Sequence, residues 1–295
     1  MSQVTALGSR TVSRIGFGAM QLAGPGVFGP PRDPDAARAV LRRAIELGVD
    51  HIDTSQYYGP DVVNQLIRES LAPYPENLTL VTKVGARRDE RGGWLTWNRP
   101  DELKQGVRDN LRTLGVERIG VNLRMIDHHD GSPEVPLAEQ LGALVELREA
   151  GSVEFIGVSN VTREMLQDAL GMTELACVQN AFSILDREGE DVIKLASEHG
   201  LAFVPFFPLG SAFTGGPTKL AADPEIAAVA AKHDATPSQI ALAWLLHRDR
   251  RILLIPGTTS VAHLEENLAA GEIALDASDH ERLSRVEPVA GPNGS

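Results

Sequence analysis

An aspartate, a tyrosine pair and a lysine stand where buried strands of this chain are expected to end. Asp53 and Lys83 each close a short apolar run, and Tyr57 and Tyr58 lie in the segment between those runs. A phenol close to an ammonium group can protonate a developing alkoxide, because the positive charge lowers its ordinary pKa of about 10. A carboxylate beside the lysine keeps that ammonium charged and oriented. These residues predict an acid–base site suited to carbonyl reduction, with a structural ion pair as the alternative.

The elements that must position these residues follow from an alternation along the chain. Short apolar runs rich in β-forming residues predict strands at 14–17, 51–53, 80–83, 121–125, 155–158, 177–179, 202–205 and 252–255. Longer stretches of helical period predict helices at 35–47, 61–70, 100–114, 137–150, 162–171, 190–199, 236–246 and 278–286. Strands that alternate with helices are expected to be parallel, because each return to the sheet needs a crossover.

Eight strand–helix units are the number that closes a (β/α)8 TIM barrel, which is the predicted α/β fold. A doubly wound open sheet is the alternative, but no Gly-x-Gly-x-x-Gly turn follows an early strand. Residues 4–14 (VTALGSRTVSR) predict a β-hairpin that turns at Gly8 and Ser9 and plugs the bottom of the barrel. No linker divides residues 1–295, so we expect a single domain.

The composition restricts the partners and the compartment. A net charge of −12 argues against nucleic acid or an anionic membrane as a partner. The only cysteine, Cys177, cannot form an internal disulfide, and no Cys/His cluster has the spacing of a metal site. The sequence contains no signal peptide and no apolar run of about 20 residues. We therefore expect a cytoplasmic protein without a metal, present as a monomer or a weak homo-oligomer.

The sequence around the acid–base residues resembles the signature of the aldo-keto reductases. Residues 48–59 (GVDHIDTSQYYG) carry the strongest likeness. Further similar motifs occur in the family's order at 81–83, 156–160, 178–180, 208–210, 255–259 and 266–267. Within the family, the segments at 20–31, 121–124, 204–209 and 260–264 are most similar to the bacterial pyridoxal reductase branch.

The resemblance implies reduction of a small-molecule aldehyde or ketone, with pyridoxal as a candidate, on a barrel that binds NADPH, with NADH as the alternative. Tyr58 would be the general acid, Lys83 the group that lowers its pKa, and Asp53 the partner of Lys83. In the family a further catalytic histidine ends the fourth strand. Asp127 stands at that position here, followed by His128 and His129, so one of these histidines or neither completes the site.

The resemblance also implies a cofactor site that spans several strand ends. Its expected members are Gly18, Ala19, Met20, Asp53, Ser159, Asn160, Gln179, Phe206, Pro208, Leu209, Gly257, Thr258, Thr259, His263, Glu266 and Asn267. The nicotinamide carboxamide would be held by three polar side chains, those of Ser159, Asn160 and Gln179. Phe206 would stack on the nicotinamide ring. Gly257 and His263 stand where the family commonly has Lys and Arg, which weakens the predicted preference for NADPH.

Aromatic residues in the loops predict an apolar substrate pocket. Its expected walls are Phe28, Tyr57, Trp94 and Trp97, with ordinary loop packing as the alternative. Arg87 and Arg88 are interpreted as a solvated face rather than an anion site. Arg124, where the family frequently has a tyrosine, either pairs with a carboxylate inside the barrel or faces outward.

Two other functions stay open at this point. Lys83 could form a Schiff base with a carbonyl substrate, as in a lyase or aldolase, although the adjacent Asp53 favours its charged form. The uncertain histidine also permits a cofactor-binding regulatory protein with little turnover.

Overall fold

A computed structural model describes residues 4–126, 134–211 and 215–289. The strands are β1 Val4–Leu7, β2 Arg10–Ser13, β3 Phe17–Gly18, β4 His51–Asp53, β5 Thr79–Arg88, β6 Trp94–Trp97, β7 Ile119–Arg124, β8 Val153–Ser159, β9 Cys177–Gln179 and β10 Ala202–Phe203. The helices are α1 Pro34–Glu46, α2 Val62–Leu71, α3 Pro100–Leu114, α4 Leu137–Glu149, α5 Arg163–Met172, α6 Glu190–Glu198, α7 Gly216–Ala222, α8 Pro224–Lys232, α9 Pro237–Arg248, α10 Val261–Ala269 and α11 Ala277–Ser284.

Parallel strands form the centre of the fold. Among the described residues they follow the order β3, β4, β5, β7, β8, β9 and β10. Residues 252–254 join the two edges of this sheet, because Leu254 bridges Ile15 and Ile252 bridges Phe203, both in parallel. The backbone bonds across these junctions are regular, with Leu253 N donating to Phe203 O at 2.9 Å. The sheet is therefore closed, and the predicted (β/α)8 barrel is confirmed.

The N-terminal hairpin closes the bottom of the barrel. β1 and β2 are antiparallel, and Leu7 and Val12 from them join the inward-facing apolar side chains of the barrel strands. The ring of Phe155 lies at this floor: a Cβ atom added to Gly8 would come within 2.9 Å of it, and one added to Gly120 within 2.3 Å. The predicted hairpin plug is confirmed, and these two glycines leave room for the aromatic ring.

The helices pack their apolar faces against the outside of the barrel. Asp33, Thr162 and Thr236 begin α1, α5 and α9 as N-caps, each accepting backbone N–H bonds of the first turn. Each cap fixes the residue at which its helix begins, and therefore where the chain turns back after the preceding strand. None of the helices in the described ranges is long and apolar enough to cross a membrane.

Three regions differ from the sequence expectation, one of which is α10, because no predicted helix covers Val261–Ala269. β5 runs past Lys83 to Arg88 and pairs antiparallel with β6, which makes a hairpin where a loop is expected. The helices α7 and α8 are absent from the predicted set because they are short and alanine-rich, so their apolar residues lack a distinct period. The β5–β6 hairpin matters for the candidate site, because it lies at the barrel mouth.

The hairpin plug should contribute strongly to stability. Leu7→Ala removes a side chain that is 1% exposed and opens a cavity at the barrel floor, so we expect the free energy of unfolding to fall by about 2 to 5 kcal/mol. Val4→Ala on the same strand is the matched control, because Val4 is 47% exposed and should change stability by about 0.5 kcal/mol or less. Denaturant unfolding measures both, and equal effects would contradict the plug.

Candidate active site

The strand ends bring the predicted residues to one edge of the barrel. Asp53 ends β4 and lies beside Gly18, the last residue of β3. Ser159 ends β8 and lies beside Gln179, the last residue of β9. Lys83 lies on β5, between these two pairs. Because parallel strands present their C-terminal ends at the same edge, all these side chains share the barrel mouth.

Asp53 and Lys83 form a buried ion pair. Their side chains are only 6% and 4% exposed, and Lys83 Nζ donates to Asp53 Oδ1. The second carboxylate oxygen, Asp53 Oδ2, accepts from Gln179 Nε2 at 2.8 Å, and Lys83 Nζ also donates to Thr54 O at 3.3 Å. Each charge therefore has an opposite charge and a further polar partner, which such burial requires.

A tight turn after β4 places Tyr58 over this pair. Tyr58 N donates to Ser55 O at 3.1 Å, and Gly59 adopts a left-handed φ of 64°. A Cβ atom at Gly59 would lie 2.6 Å from Gly29 O, so the loop after β3 packs directly on the turn. Lys83 Nζ lies 5.2 Å from the centre of the Tyr58 ring. The phenol therefore lies above the ion pair, as expected for a proton donor.

The electrostatics of Tyr58 differ from the sequence expectation. Burial raises the pKa of Tyr58 well above its ordinary value, the nearby Asp53 charge raises it further, and only Arg124 acts to lower it. The pKa is therefore raised in the described structure, opposite to the predicted lowering, because burial and the Asp53 charge outweigh the cations of the site. The assistance of Lys83 to Tyr58 stays a prediction. Tyr58 keeps its proton at neutral pH.

A polar layer lies beneath the ion pair. Asn122 is paired in register with Lys83, and Cys177 Sγ donates to Asn122 Oδ1 at 3.2 Å. Burial raises the pKa of the Cys177 thiol to about 12. The thiol therefore stays protonated, and Cys177 is a buried packing residue rather than a nucleophile.

The ends of β8 and β9 could hold a carboxamide. Gln179 Oε1 is buried and has no hydrogen-bond partner among residues 4–126, 134–211 and 215–289, because its amide nitrogen is directed to Asp53. Ser159 lies beside it, and Phe206 is half-buried nearby along the barrel mouth. The Asn160 side chain is directed to the backbone, since Nδ2 donates to Met125 O at 2.6 Å. An unpaired buried acceptor beside a hydroxyl and an aromatic face fits a nicotinamide amide and ring.

The other side of the mouth offers a loop and a helix start. A Cβ atom on Gly257 would lie 2.4 Å from Gly18 O, so this loop touches the end of β3. Thr258 Oγ1 accepts from Ser260 N at 3.0 Å, and Ser260 caps α10. Exposed Thr259 and His263 border the helix N-terminus, where backbone N–H groups favour an anion. The remaining expected cofactor residues occupy flanking positions: Ala19 and Met20 in the turn after β3, Pro208 and Leu209 after Phe206, and Glu266 and Asn267 on α10.

Three of the four expected pocket residues come together. The ring centres of Tyr57 and Tyr58 are 5.4 Å apart, and those of Tyr57 and Trp94 are 5.3 Å apart, both edge to face. Phe28 is linked to Trp94 through Arg88, whose guanidinium lies 5.6 Å from the Phe28 ring and 4.2 Å from the Trp94 ring. These side chains form an aromatic wall beside the phenol of Tyr58.

Trp97 and Arg88 differ from the expectation, whereas Arg87 is exposed as expected. Trp97 lies under Arg87, 5.3 Å from its guanidinium, and beside Gly106 of α3, away from the other aromatic residues. Arg88 is no solvated residue: its Nη2 donates to Gly26 O at 2.8 Å and its Nε to Gly92 O at 2.9 Å. It therefore braces the two mouth loops. The sequence signal for this role of Arg88 was its place among aromatic residues, because an arginine can form cation–π contacts with them.

The structure also shows whether the Arg124 side chain is directed into the barrel or outward. Arg124 Nη1 donates to Ser159 Oγ at 3.2 Å, and the guanidinium lies 4.8 Å from the centre of the Phe206 ring. The side chain therefore lies in the site. Asp127, His128 and His129 fall outside the described residues.

Comparison with known proteins tests the family resemblance. A family model described as the aldo/keto reductase family matches residues 14–288. The chain belongs to the aldo/keto reductase family. This confirms the resemblance found in the sequence, and the chain is an oxidoreductase of the carbonyl-reducing class.

Individual relatives of this aldo/keto reductase agree. Pyridoxine 4-dehydrogenase from Escherichia coli strain K12 is 50% identical over 292 residues, covering 98% of this chain and 99% of that protein, which confirms the predicted branch. A thermostable aldo-keto reductase in complex with the inhibitor epalrestat has a TM-score of 0.80 at 27% identity, covering 96% of this chain and 99% of that one. An aldo-keto reductase from Klebsiella pneumoniae in complex with NADPH shares the fold, with a TM-score of 0.81 at 22% identity over 99% and 98% of the two chains.

The buried ion pair of this reductase gives a stability prediction. Asp53→Asn leaves the Lys83 ammonium buried without a counter-charge, so we expect the free energy of unfolding to fall by about 3 to 5 kcal/mol. Adding Lys83→Met to that variant should recover much of the loss, because no unpaired charge then remains. Glu146→Gln is the control, since it breaks the exposed Lys104–Glu146 pair at 2.6 Å and should cost about 0 to 1 kcal/mol. Denaturant unfolding distinguishes the cases, and an Asp53→Asn effect no larger than the control would refute the prediction.

Proposed function

We propose that this aldo/keto reductase uses NADPH to reduce pyridoxal, or a closely similar aromatic aldehyde, to the alcohol. The observation that carries the proposal is the buried, protonated Tyr58 above the Lys83–Asp53 pair at the barrel mouth. A positioned phenol that retains its proton is the group that a forming alkoxide needs. The similarity to pyridoxine 4-dehydrogenase supports the choice of substrate, since oxidation of a 4-alcohol and reduction of the 4-aldehyde are the same reaction in opposite directions.

Tyr58 would donate its proton to the carbonyl oxygen while the cofactor supplies the hydride to the carbonyl carbon. Lys83 lies beneath the ring of Tyr58, and Asp53 holds the lysine in place through the buried pair. The π electron pair of the carbonyl then forms the O–H bond to the proton from Tyr58. The phenolate that remains is favoured by the cations around it, Lys83 and Arg124. Reprotonation of Tyr58 from solvent completes the cycle.

The proposed cofactor position follows the polar strand ends. Gln179 Oε1 would accept from the carboxamide of the nicotinamide, with Ser159 as its neighbour and Phe206 against the ring. The start of α10 would hold the adenosine phosphates, with Thr258 and His263 beside the 2′-phosphate. Because neither a lysine nor an arginine stands at Gly257 or His263, the expected preference for NADPH over NADH is modest.

The aromatic wall supports an aromatic substrate. Tyr57, Trp94 and Phe28 line one side of the mouth next to Tyr58, and flat rings pack well on such side chains. The competing Schiff-base reaction finds less support. Lys83 would have to be a neutral amine to attack a carbonyl carbon, whereas its pairing with Asp53 favours the ammonium form.

The proposed reaction can be tested with the purified protein. Pyridoxal and NADPH should give pyridoxine with equal consumption of the reduced cofactor, followed by its absorbance and by chromatography of the product. Replacing NADPH with NADH should lower the rate by a modest factor, about tenfold or less. Cofactor binding without turnover of pyridoxal or simple aromatic aldehydes would refute the proposed substrate class and favour a regulatory protein.

Removing the Tyr58 hydroxyl should isolate its role. Tyr58→Phe keeps the ring but not the acid, so we expect turnover to fall about 10²- to 10⁴-fold while NADPH affinity is unchanged. Tyr74→Phe is the matched control, because the Tyr74 hydroxyl donates to Leu114 O at 2.7 Å, outside the barrel mouth. Steady-state rates and cofactor titrations measure both effects. Wild-type turnover by Tyr58→Phe would remove Tyr58 from the mechanism.

A further inference from the structure

Arg124 contacts two of the residues proposed to bind the nicotinamide. It ends β7, its Nη1 donates to Ser159 Oγ at 3.2 Å, and its guanidinium lies 4.8 Å from the centre of the Phe206 ring. Ser159 and Phe206 are the hydroxyl and the aromatic face assigned above to the carboxamide and the ring. The guanidinium of Arg124 therefore borders the nicotinamide position.

The backbone keeps this charge close to the site. Arg124 is paired in register with Ser159 of β8, and on its other side Gly85 of β5 approaches so closely that a Cβ atom there would lie 2.3 Å from Arg124 O. The stem of the side chain thus begins inside the mouth between two neighbouring strands. In this structure the guanidinium extends from that stem to Ser159 and Phe206, beside the proposed nicotinamide position.

The Arg124 charge has no counter-charge among the described residues. No carboxylate in residues 4–126, 134–211 or 215–289 lies within ion-pair distance of it, in contrast to Lys83, which is paired with Asp53. Its positive charge also reaches the two phenols of the site, since it acts to lower the pKa of both Tyr57 and Tyr58. Within residues 4–126, 134–211 and 215–289, Lys83 is therefore paired with a carboxylate and Arg124 is not.

We propose that Arg124 makes the protein bind the reduced cofactor more tightly than the oxidised one. The nicotinamide ring is neutral in NADPH and positively charged in NADP⁺, so a nearby guanidinium repels only the oxidised form. At a separation of several ångströms in a partly buried site, this repulsion corresponds to at least about a tenfold difference in Kd. The inference rests on the proposed cofactor position. The repulsion favours occupation of the empty site by NADPH and release of NADP⁺, and it shifts the equilibrium between the two bound forms away from NADP⁺.

The ratio of two dissociation constants tests this role. Kd values for NADPH and for NADP⁺ would be measured by calorimetry or by tryptophan fluorescence at one pH and ionic strength. Moving the Arg124 side chain away from Ser159 and Phe206 costs the same for both forms, so that cost cancels in the ratio. We expect wild type to favour NADPH, Arg124→Met to reduce this preference about tenfold, and Arg124→Lys to retain most of it.

A second arginine at the same end of the barrel provides the control. Arg87→Met also removes one positive charge, but its guanidinium lies over Trp97 and away from the nicotinamide position, so the ratio should not change. An unchanged ratio in Arg124→Met would overturn the inference. So would a wild-type protein that binds NADP⁺ as tightly as NADPH, a result that depends on no variant. Failure to bind either form would instead overturn the proposed function, and the inference with it.

Discussion

A charge placed inside a barrel must be neutralised there, and the geometry of this site depends on how that is done. Lys83 and Asp53 are both almost inaccessible to water, so each is held by the other and by one further polar group. Gln179 supplies that group for the carboxylate, which fixes its amide nitrogen and leaves its oxygen without a partner in the described part of the chain. One ion pair therefore sets the position of the phenol above it and the free acceptor beside it.

The rest of the barrel surrounds this ion pair with a mostly apolar interior, in which the attraction between its two charges is stronger than in water. The hairpin residues Leu7 and Val12, with the ring of Phe155, close the bottom of the barrel. At the mouth the contact between Gly18 and Gly257 draws the first and last strands together, and no larger residue could allow it. A closed, mostly apolar interior lowers the local dielectric constant, and the effect of each remaining charge increases accordingly.

Local sequence was sufficient for the parts of the site that lie at strand ends. Asp53 and Lys83 stand at the end of apolar runs, and parallel topology alone requires that they meet. The direction in which the pKa of Tyr58 shifts was not predictable in this way, because it depends on burial and on the nearby Asp53 charge. The direction of Arg124 and the brace made by Arg88 depend on residues far away in the chain, Phe206 and Phe28, whose approach only the closed fold establishes.

Two cations of the barrel mouth stand in different surroundings. Lys83 is buried in a pair with Asp53, which fixes its position below the ring of Tyr58. Arg124 has no ion-pair partner within residues 4–126, 134–211 and 215–289, so its charge can respond to groups whose charge changes during a reaction. In carbonyl reduction the cofactor ring gains a positive charge and the substrate oxygen gains electron density. A fixed positive charge between the two opposes the first change and favours the second, so its net effect depends on which group lies closer. If the cofactor binds as proposed, the contacts with Ser159 and Phe206 put the guanidinium on the cofactor side, and affinity for the two cofactor forms is then its most direct consequence.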